Sequence, residues 1–448
     1  MEYYNTYTSE YISALNSKSV VYKVKVELLT DQEGVIGEIV RDLDTTQGQL
    51  TINYDNIVRR SCSLGLINVN QKYRPDRNFV FWINRKFKLY IGVQIRSNTY
   101  WWSQGIFYTT SANMSDYHTV QIDAVDKGGA INGTLKLGML DYQYQVGNVP
   151  VVQFIKDTLA LQVGRSDIVT RGKIKMGGDR IIDCAPPVVD LSYRKERVPS
   201  SFSVDANSYI GEVIQQVADL FSANAYYDIQ GHFRFEPVLD DDDKPVIWDF
   251  DSLSTSFEGV NYTMTLDGEN TMCVYTNATG INNVSYTAYN TNPNSPINID
   301  TGIRRATSEE IEYLQDVDGV TVTPEQMTHY CRSTANYYLR KNSMLGMQLS
   351  FNAPIIPHLD VDKLIQLTDD YMGFTQQKFL IQSITIPFGS QPMNINCTNI
   401  NWLPKSFEYD GNAQVIPVVN DTTTNTTTTN ENNNNENNSQ ENNNQEGG

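Results

Sequence analysis

The sequence predicts a mainly β fold with an α+β insertion: two β-barrel domains, a small α+β domain and a disordered C-terminal tail. Three observations carry this expectation. Short runs of alternating apolar and polar residues, separated by turn residues, fill two blocks of the chain, and period-two alternation marks half-buried strands. Between the blocks, from Pro150 on, apolar residues recur at helical spacing instead. Beyond Asp410 the chain changes character, and from Asp421 to Gly448 it is a Thr/Asn/Glu tract with no apolar anchor.

Taken in order, residues 1–17 form an N-terminal arm with a short helix at 8–17. The first barrel is expected over 18–147. VVYKVKVELL alternates, and TDQEG before VIGEIV reads as a hairpin turn. Strands continue through 51–66, 79–95, 105–111 and 119–124. About six strands joined by turns suggest a closed or nearly closed barrel.

Residues 148–250 read as the α+β domain. Val151, Phe154, Ile155 and Leu159 recur at helical spacing. Ile210, Val213, Ile214, Val217 and Phe221 make one apolar stripe, which is core packing and not a cofactor box. It runs into AYYDIQGHFRFEPV, a strand, a turn and a strand. Over 251–405 strands return as a second barrel, with a helix at 324–342. Pro324 suits the first turn of that helix. Met327, Cys331, Thr334 and Tyr338 share one of its faces, and Arg340 and Lys341 complement its C-terminal dipole. Residues 406–448 form a linker and an Asn/Thr-rich tail that cannot bury enough surface to offset chain entropy.

A formal net charge of −18 argues against a nucleic-acid groove, which needs clustered Lys and Arg. No sequence-specific nucleic-acid partner is expected, and an anionic membrane surface is disfavoured too. No apolar window is long enough for a membrane span, and the N-terminus has no signal-peptide core, so a cytoplasmic product is expected. Cys62, Cys184, Cys273, Cys331 and Cys397 contain no Cys-x-x-Cys pair and read as free thiols in a reducing compartment. The 27 tyrosines suit interfaces as well as strands, because the ring packs while the hydroxyl stays wet.

The chain has no Gly-x-Ser-x-Gly, no phosphate-binding Gly-x-x-x-x-Gly-Lys loop and no His-Glu-x-x-His. No catalytic residue, cofactor or metal is expected. Asp240, Asp241, Asp242 and Asp243 offer hard oxygen ligands for Ca²⁺. They lack the alternating spacing of a calcium loop, so a solvated linker is favoured. Asp316, Asp318 and Gly319 resemble a fragment of such a loop and read as a plain turn. Ser115, Asp116 and His118 are adjacent, but triads assemble from separate elements. His118, His232, His329 and His358 are far apart in sequence. Trp82, Trp101 and Trp102 are candidate interface aromatics, with barrel core or a groove as the other placements.

The stretch 48–137 also resembles the N-terminal domain of the baseplate (tail) hub proteins of tailed bacteriophages, related to the hubs of contractile tails and injection systems. The resemblance rests on Arg59-Arg60-Ser61-Cys62, on W-x-N-R-x-x-K-L-Y-x-G at 82–92, on W-x-x-G-x-F-x-x-x-S at 102–111, and on the Asp126-Lys127 turn. The block 347–401 resembles the C-terminal barrel of that family, with Asp362-Lys363 where Gly-Asp is commoner. The resemblance implies two tube-like barrels per chain and a homotrimer joining a six-fold tail tube to a three-fold central spike. It implies as partners the tail tube or distal tail protein, the spike, the tape-measure protein and baseplate wedge or sheath components, in a virion tail baseplate. No lysozyme or peptidase domain of the hub family is expected in this sequence. Two other readings compete: a host-recognition module stacking cell-wall glycan on Trp101 and Trp102, and a tail-associated cell-wall hydrolase.

Deleting the residues after Asp421 is expected to leave the thermal midpoint unchanged, because no apolar group there can dock. Calorimetry of the truncated chain checks this; a drop of several degrees contradicts it.

Overall fold

Period-two alternation decides the N-terminal block. In the computed structural model, the described residues are 8–404, less 18, 31, 55–56, 75–84, 115–116, 141, 147, 162–185, 200–201, 240–243, 252–256, 266, 277–283, 302, 312–323, 345–346 and 390. The expectations for the C-terminal tail, Trp82, Cys184, Ser115, Asp116, the four aspartates from Asp240 to Asp243, and Asp316, Asp318 and Gly319 therefore lie outside the described residues. The chain opens with α1 (Ser9–Leu15), capped by Thr8, whose hydroxyl accepts from the Tyr11 N–H. Seven strands follow: β1 (Val21–Leu29), β2 (Val35–Ile39), β3 (Leu43–Asn53), β4 (Arg60–Ile67), β5 (Lys86–Ile95), β6 (Asn98–Asn113) and β7 (Thr119–Asp126). In β1, Val24 and Val26 are buried while Lys23 and Lys25 face the other side, as alternation requires.

The middle of the chain holds β8 (Tyr144–Gln145), α2 (Val151–Leu161), β9 (Val188–Val189), β10 (Ser203–Val204), α3 (Ile210–Leu220), β11 (Ala223–Tyr227) and β12 (Phe233–Pro237). Then come β13 (Val246–Asp251), β14 (Glu258–Met264), β15 (Thr271–Tyr275), β16 (Ser285–Tyr289), β17 (Ala306–Glu310), α4 (Pro324–Met344), β18 (Met347–Ala353), β19 (Leu364–Asp369), β20 (Phe374–Pro387) and β21 (Met393–Asn399). No helix among the described residues is long and apolar enough to cross a membrane.

The large sheet differs from the expected pair of barrels. It is one 13-stranded sheet in the order β14-β18-β21-β20-β3-β4-β7-β6-β5-β1-β2, with β19 on β20 and β13 parallel to β19. No closed barrel occurs among the described residues, and β14 and β2 stand at the two ends of the path. The cause is the length of β20. Its 14 residues span roughly 46 Å at about 3.3 Å per residue. One part pairs with β19 and β21, and the far part continues onto β3, with Ile384 opposite Ile52 and Ile386 opposite Leu50. The two blocks therefore share a core. Leu50, Ile52, Leu64, Phe87 and Ile122 of the first pack in one cluster with Phe250, Phe351, Ile384 and Ile395 of the second.

A second core holds the α+β part. The predicted α3 stripe is present: Ile210, Val213, Ile214 and Val217 are fully buried, and Phe221 nearly so. Phe154 and Ile155 of α2 pack with it, as do Phe233 and Phe235 of β12. The helix expected over 324–342 forms as α4, and its Tyr330, Cys331, Ala335 and Leu339 enter this same core. So do Met272 and Val274 of β15, which pairs with β16 and β17 in a separate small sheet.

Candidate functional site: a buried ionic junction beside a polar cleft

The residues that carried the family resemblance meet where the two cores adjoin. Arg60 begins β4 and is 1% exposed. Its backbone N–H donates to Asp126 Oδ2 at 2.8 Å. Its Nη1 donates to the Tyr227 carbonyl at 3.1 Å, and its Nη2 to Asp360 Oδ2 at 2.6 Å. One side chain thus ties the N-terminal sheet to the end of β11 and to the segment before β19. Beside it, the buried Arg59 guanidinium lies 3.3 Å from the Tyr226 ring centroid, a cation–π contact. Burial works against the Arg59 charge, but Tyr226, Asp362 and Asp360 outweigh it and hold its pKa above the ordinary value.

Asp126 closes β7 and accepts at Oδ1 from the Gly128 N–H at 2.9 Å. Burial pushes its carboxyl up to about 7 against the pull of Arg60 and of the backbone N–H groups that it accepts. Gly128 must be glycine, since a Cβ there would lie 2.2 Å from the Ile57 carbonyl oxygen. The next clamp is a triad. Glu33, in the β1–β2 turn, takes Lys86 and Lys127 on Oε1, each at 2.9 Å. Lys127 is fully buried and also donates to the Gly231 carbonyl at 2.8 Å. Burial raises Glu33, yet the two ammonium groups win and hold it below the usual carboxylate range. Lys244 and Asp362 pair at 2.6 Å and bring the start of β13 to the same junction.

An aromatic cluster lies alongside. His358 packs at 5.6 Å from Tyr11, 5.7 Å from Trp102 and 5.4 Å from Trp248 by ring centroids. The Tyr11 hydroxyl and His358 Nδ1 are 3.0 Å apart. Burial drives the His358 pKa down to about 3. Trp102 is therefore a half-buried wall of this cluster. Trp101, its neighbour in β6, points to the opposite face, where Lys25 lies 5.2 Å from its ring. Adjacent residues of a strand cannot form one stacking platform, so the two tryptophans do not act together on a sugar.

Between β6, the β11–β12 hairpin and residues 357–363 opens a polar cleft of about 140 Å³. Arg60, Trp102 and His358 line it, together with Asp228, Arg234 and Glu236. Among the described residues no group of three or more His, Cys, Asp or Glu is placed to hold a metal ion. The histidines lie on different elements: His358 at the junction, His232 beside Asp228 at 3.7 Å, and His329 on α4 against Tyr330. Cys62, Cys331 and Cys397 are buried free thiols and Cys273 is a half-buried one. Sequence reasoning singled out Arg59, Arg60, Asp126 and Lys127 but missed Glu33, Asp360, Arg234 and Glu236. Glu33 and Asp360 sit in turn segments, where carboxylates ordinarily face water, so no local pattern marks them.

Two outcomes are expected from these contacts. Glu33→Ala leaves two buried ammonium groups without their shared carboxylate and should lower stability by about 3–5 kcal/mol, read as a denaturant midpoint. His358 stays neutral in the folded chain down to about pH 3, whereas unfolded it protonates near 6.5. The unfolded state therefore binds the extra proton, and stability is lost as pH falls through that window. At pH 4.5 the loss from this group is about 2–3 kcal/mol. His358→Gln should flatten that part of the stability–pH curve relative to the parent chain.

No family model and no curated protein matches the sequence. Solved structures do. A tail protein from Neisseria meningitidis MC58 aligns over 86% of this chain and 99% of its own, with 9% identity and a TM-score of 0.54. The 43 kDa tail protein of prophage MuSo2 from Shewanella oneidensis aligns over 86% and 100%, with 12% identity and a TM-score of 0.51. The Francisella PdpA–VgrG complex aligns over 87% of this chain and 54% of that one, with 10% identity and a TM-score of 0.50. The likeness is one of fold: this chain is built like these tail proteins and like the aligned chain of the PdpA–VgrG complex.

Proposed function

We propose that this chain is a structural tail protein of a phage-like particle. In this reading it is a baseplate hub that assembles as a homotrimer, joins a six-fold tail tube to a three-fold central spike, and lines the channel through which DNA passes. Its neighbours would be the tube or distal tail protein, the spike, the tape-measure protein and wedge or sheath components, in the virion tail. The single observation that carries the assembly is the open sheet. Among the described residues it ends in β2 on one side and in β14 and the branch strand β13 on the other. An unpaired edge is a template for another strand. Different edges on one chain suit a heterologous, head-to-tail contact, and such contacts close into rings when the rotation allows. Strands from two sequence blocks in each subunit also give three copies the material for a quasi-six-fold ring. The excess of 52 acidic over 34 basic residues suits a channel that does not hold DNA.

Val35 and Ile36 of β2 are 61% and 63% exposed, apolar side chains on an edge strand. Replacing both with Lys should leave the monomer's unfolding free energy within about 0.5 kcal/mol of the parent, as surface changes do, and abolish the trimer. Mass measurement of the purified chain, alone and with its spike or tube partner, reads the result. A trimer that survives the double substitution removes β2 from the interface. Six copies or a single peripheral copy per particle in images of the tail overturns the hub reading. The same preparation should not lower the turbidity of a cell-wall suspension; clearing would favour the hydrolase reading instead.

A further inference from the structure

We infer that the cleft between β6 and the β11–β12 hairpin is a binding site for a single neutral sugar ring, such as the terminal residue of a glycan. This does not depend on the hub reading. The cleft is about 140 Å³, close to the roughly 150 Å³ that admits one benzene ring in an engineered cavity of another protein. A six-membered ring is therefore the right size. The walls are mixed, with Ile52, Trp102 and Leu359 beside charged groups that balance: Arg60, Arg234 and Lys363 face Asp228, Glu236 and Asp360. A phosphate would meet three carboxylates, and a cation would meet three cationic side chains. A neutral ligand bearing both donors and acceptors meets neither penalty.

The decisive feature is the unused hydrogen-bonding capacity. Glu236 accepts from the Tyr226 hydroxyl at Oε1, 2.5 Å away, and among the described residues its Oε2 takes no bond. Arg234 gives Nε and Nη2 to Asp228 Oδ2, both at 2.7 Å, and its Nη1 gives none to a described residue. Gln104 donates through Nε2 to the Pro357 carbonyl at 2.8 Å, while its Oε1 accepts nothing from the described residues. Two acceptors and one donor thus line one concavity with spare valence. Arg234 and Glu236 are two residues apart on β12, so they project from the same face. Vicinal hydroxyls, each able to donate and accept, fit such a neighbouring donor–acceptor pair. Trp102 supplies the apolar wall that the C–H face of a pyranose needs. The groups are held before any ligand arrives. Asp228, which fixes Arg234, is itself held by the N–H groups of Gln230 and His232 at 2.9 Å each.

The test is saturation-transfer NMR and titration calorimetry on the full chain. The panel is glucose, galactose, mannose and N-acetylglucosamine, with inorganic phosphate and glutamate as contrasts. At least one sugar should bind with a Kd of about a millimolar, the range for so small a ligand. Glu236→Gln and Arg234→Lys should each weaken it about tenfold. Should either variant lose thermal stability, amide shift mapping on the parent chain decides: the sugar should move Trp102, Ser103 and Gln104 together with Arg234 and Glu236. No sugar binding up to roughly 50 mM, binding of phosphate or glutamate in preference, equal affinity in both folded variants, or shifts elsewhere would each overturn the assignment.

Discussion

Arg60 lies 1% exposed at the point where three stretches of chain meet, and a guanidinium in such a place must be paired or it costs several kcal/mol. Its partners are Asp360, 300 residues away, and the Tyr227 carbonyl, 167 residues away. Neither bond can form until the N-terminal sheet, the α+β core and the segment before β19 are in place. The neighbouring pairs repeat the rule: Lys127 and Lys86 converge on Glu33, and Lys244 reaches Asp362. Buried pairs of this kind contribute little net stability over an apolar alternative, but breaking one is expensive. Their effect is to admit one relative placement of the parts and penalise the others.

The large sheet carries the same placement through its backbone. β20 pairs with strands from both ends of the sequence, and Ile384 and Ile386 bury themselves against partners from the first block. With one core running through strands of both blocks, neither can be repacked without the other. Among the described residues, the strands left with a single partner at the margins of this sheet are β2, β14 and β13.

The polar cleft follows from the junction as well. Arg60 ties the end of β11 to Asp360, Ser103 and Gln104 of β6 donate to the Ile229 and Pro357 carbonyls, and the space between these elements is lined by side chains whose bonds to the described residues are only partly used. A fully satisfied network would have closed that space with internal bonds. The junction thus serves both the frame and the polar cleft.

Local pattern alone determined α1, the β1–β2 hairpin, the α3 stripe and the β11–β12 hairpin, because alternation and helical spacing report which face of an element is buried. It also singled out Arg59, Arg60, Asp126 and Lys127 by resemblance, without saying what they hold. Only the tertiary structure decided what covers each face. It joined two expected barrels into one sheet through β20 and β3, seated α4 in the α3 core, and turned Trp101 and Trp102 to opposite sides with different neighbours. The physical reason is that burial periodicity is a property of a segment, whereas pairing is a competition among all exposed edges and faces. A carboxylate such as Asp360 reads the same in sequence whether it meets water or Arg60.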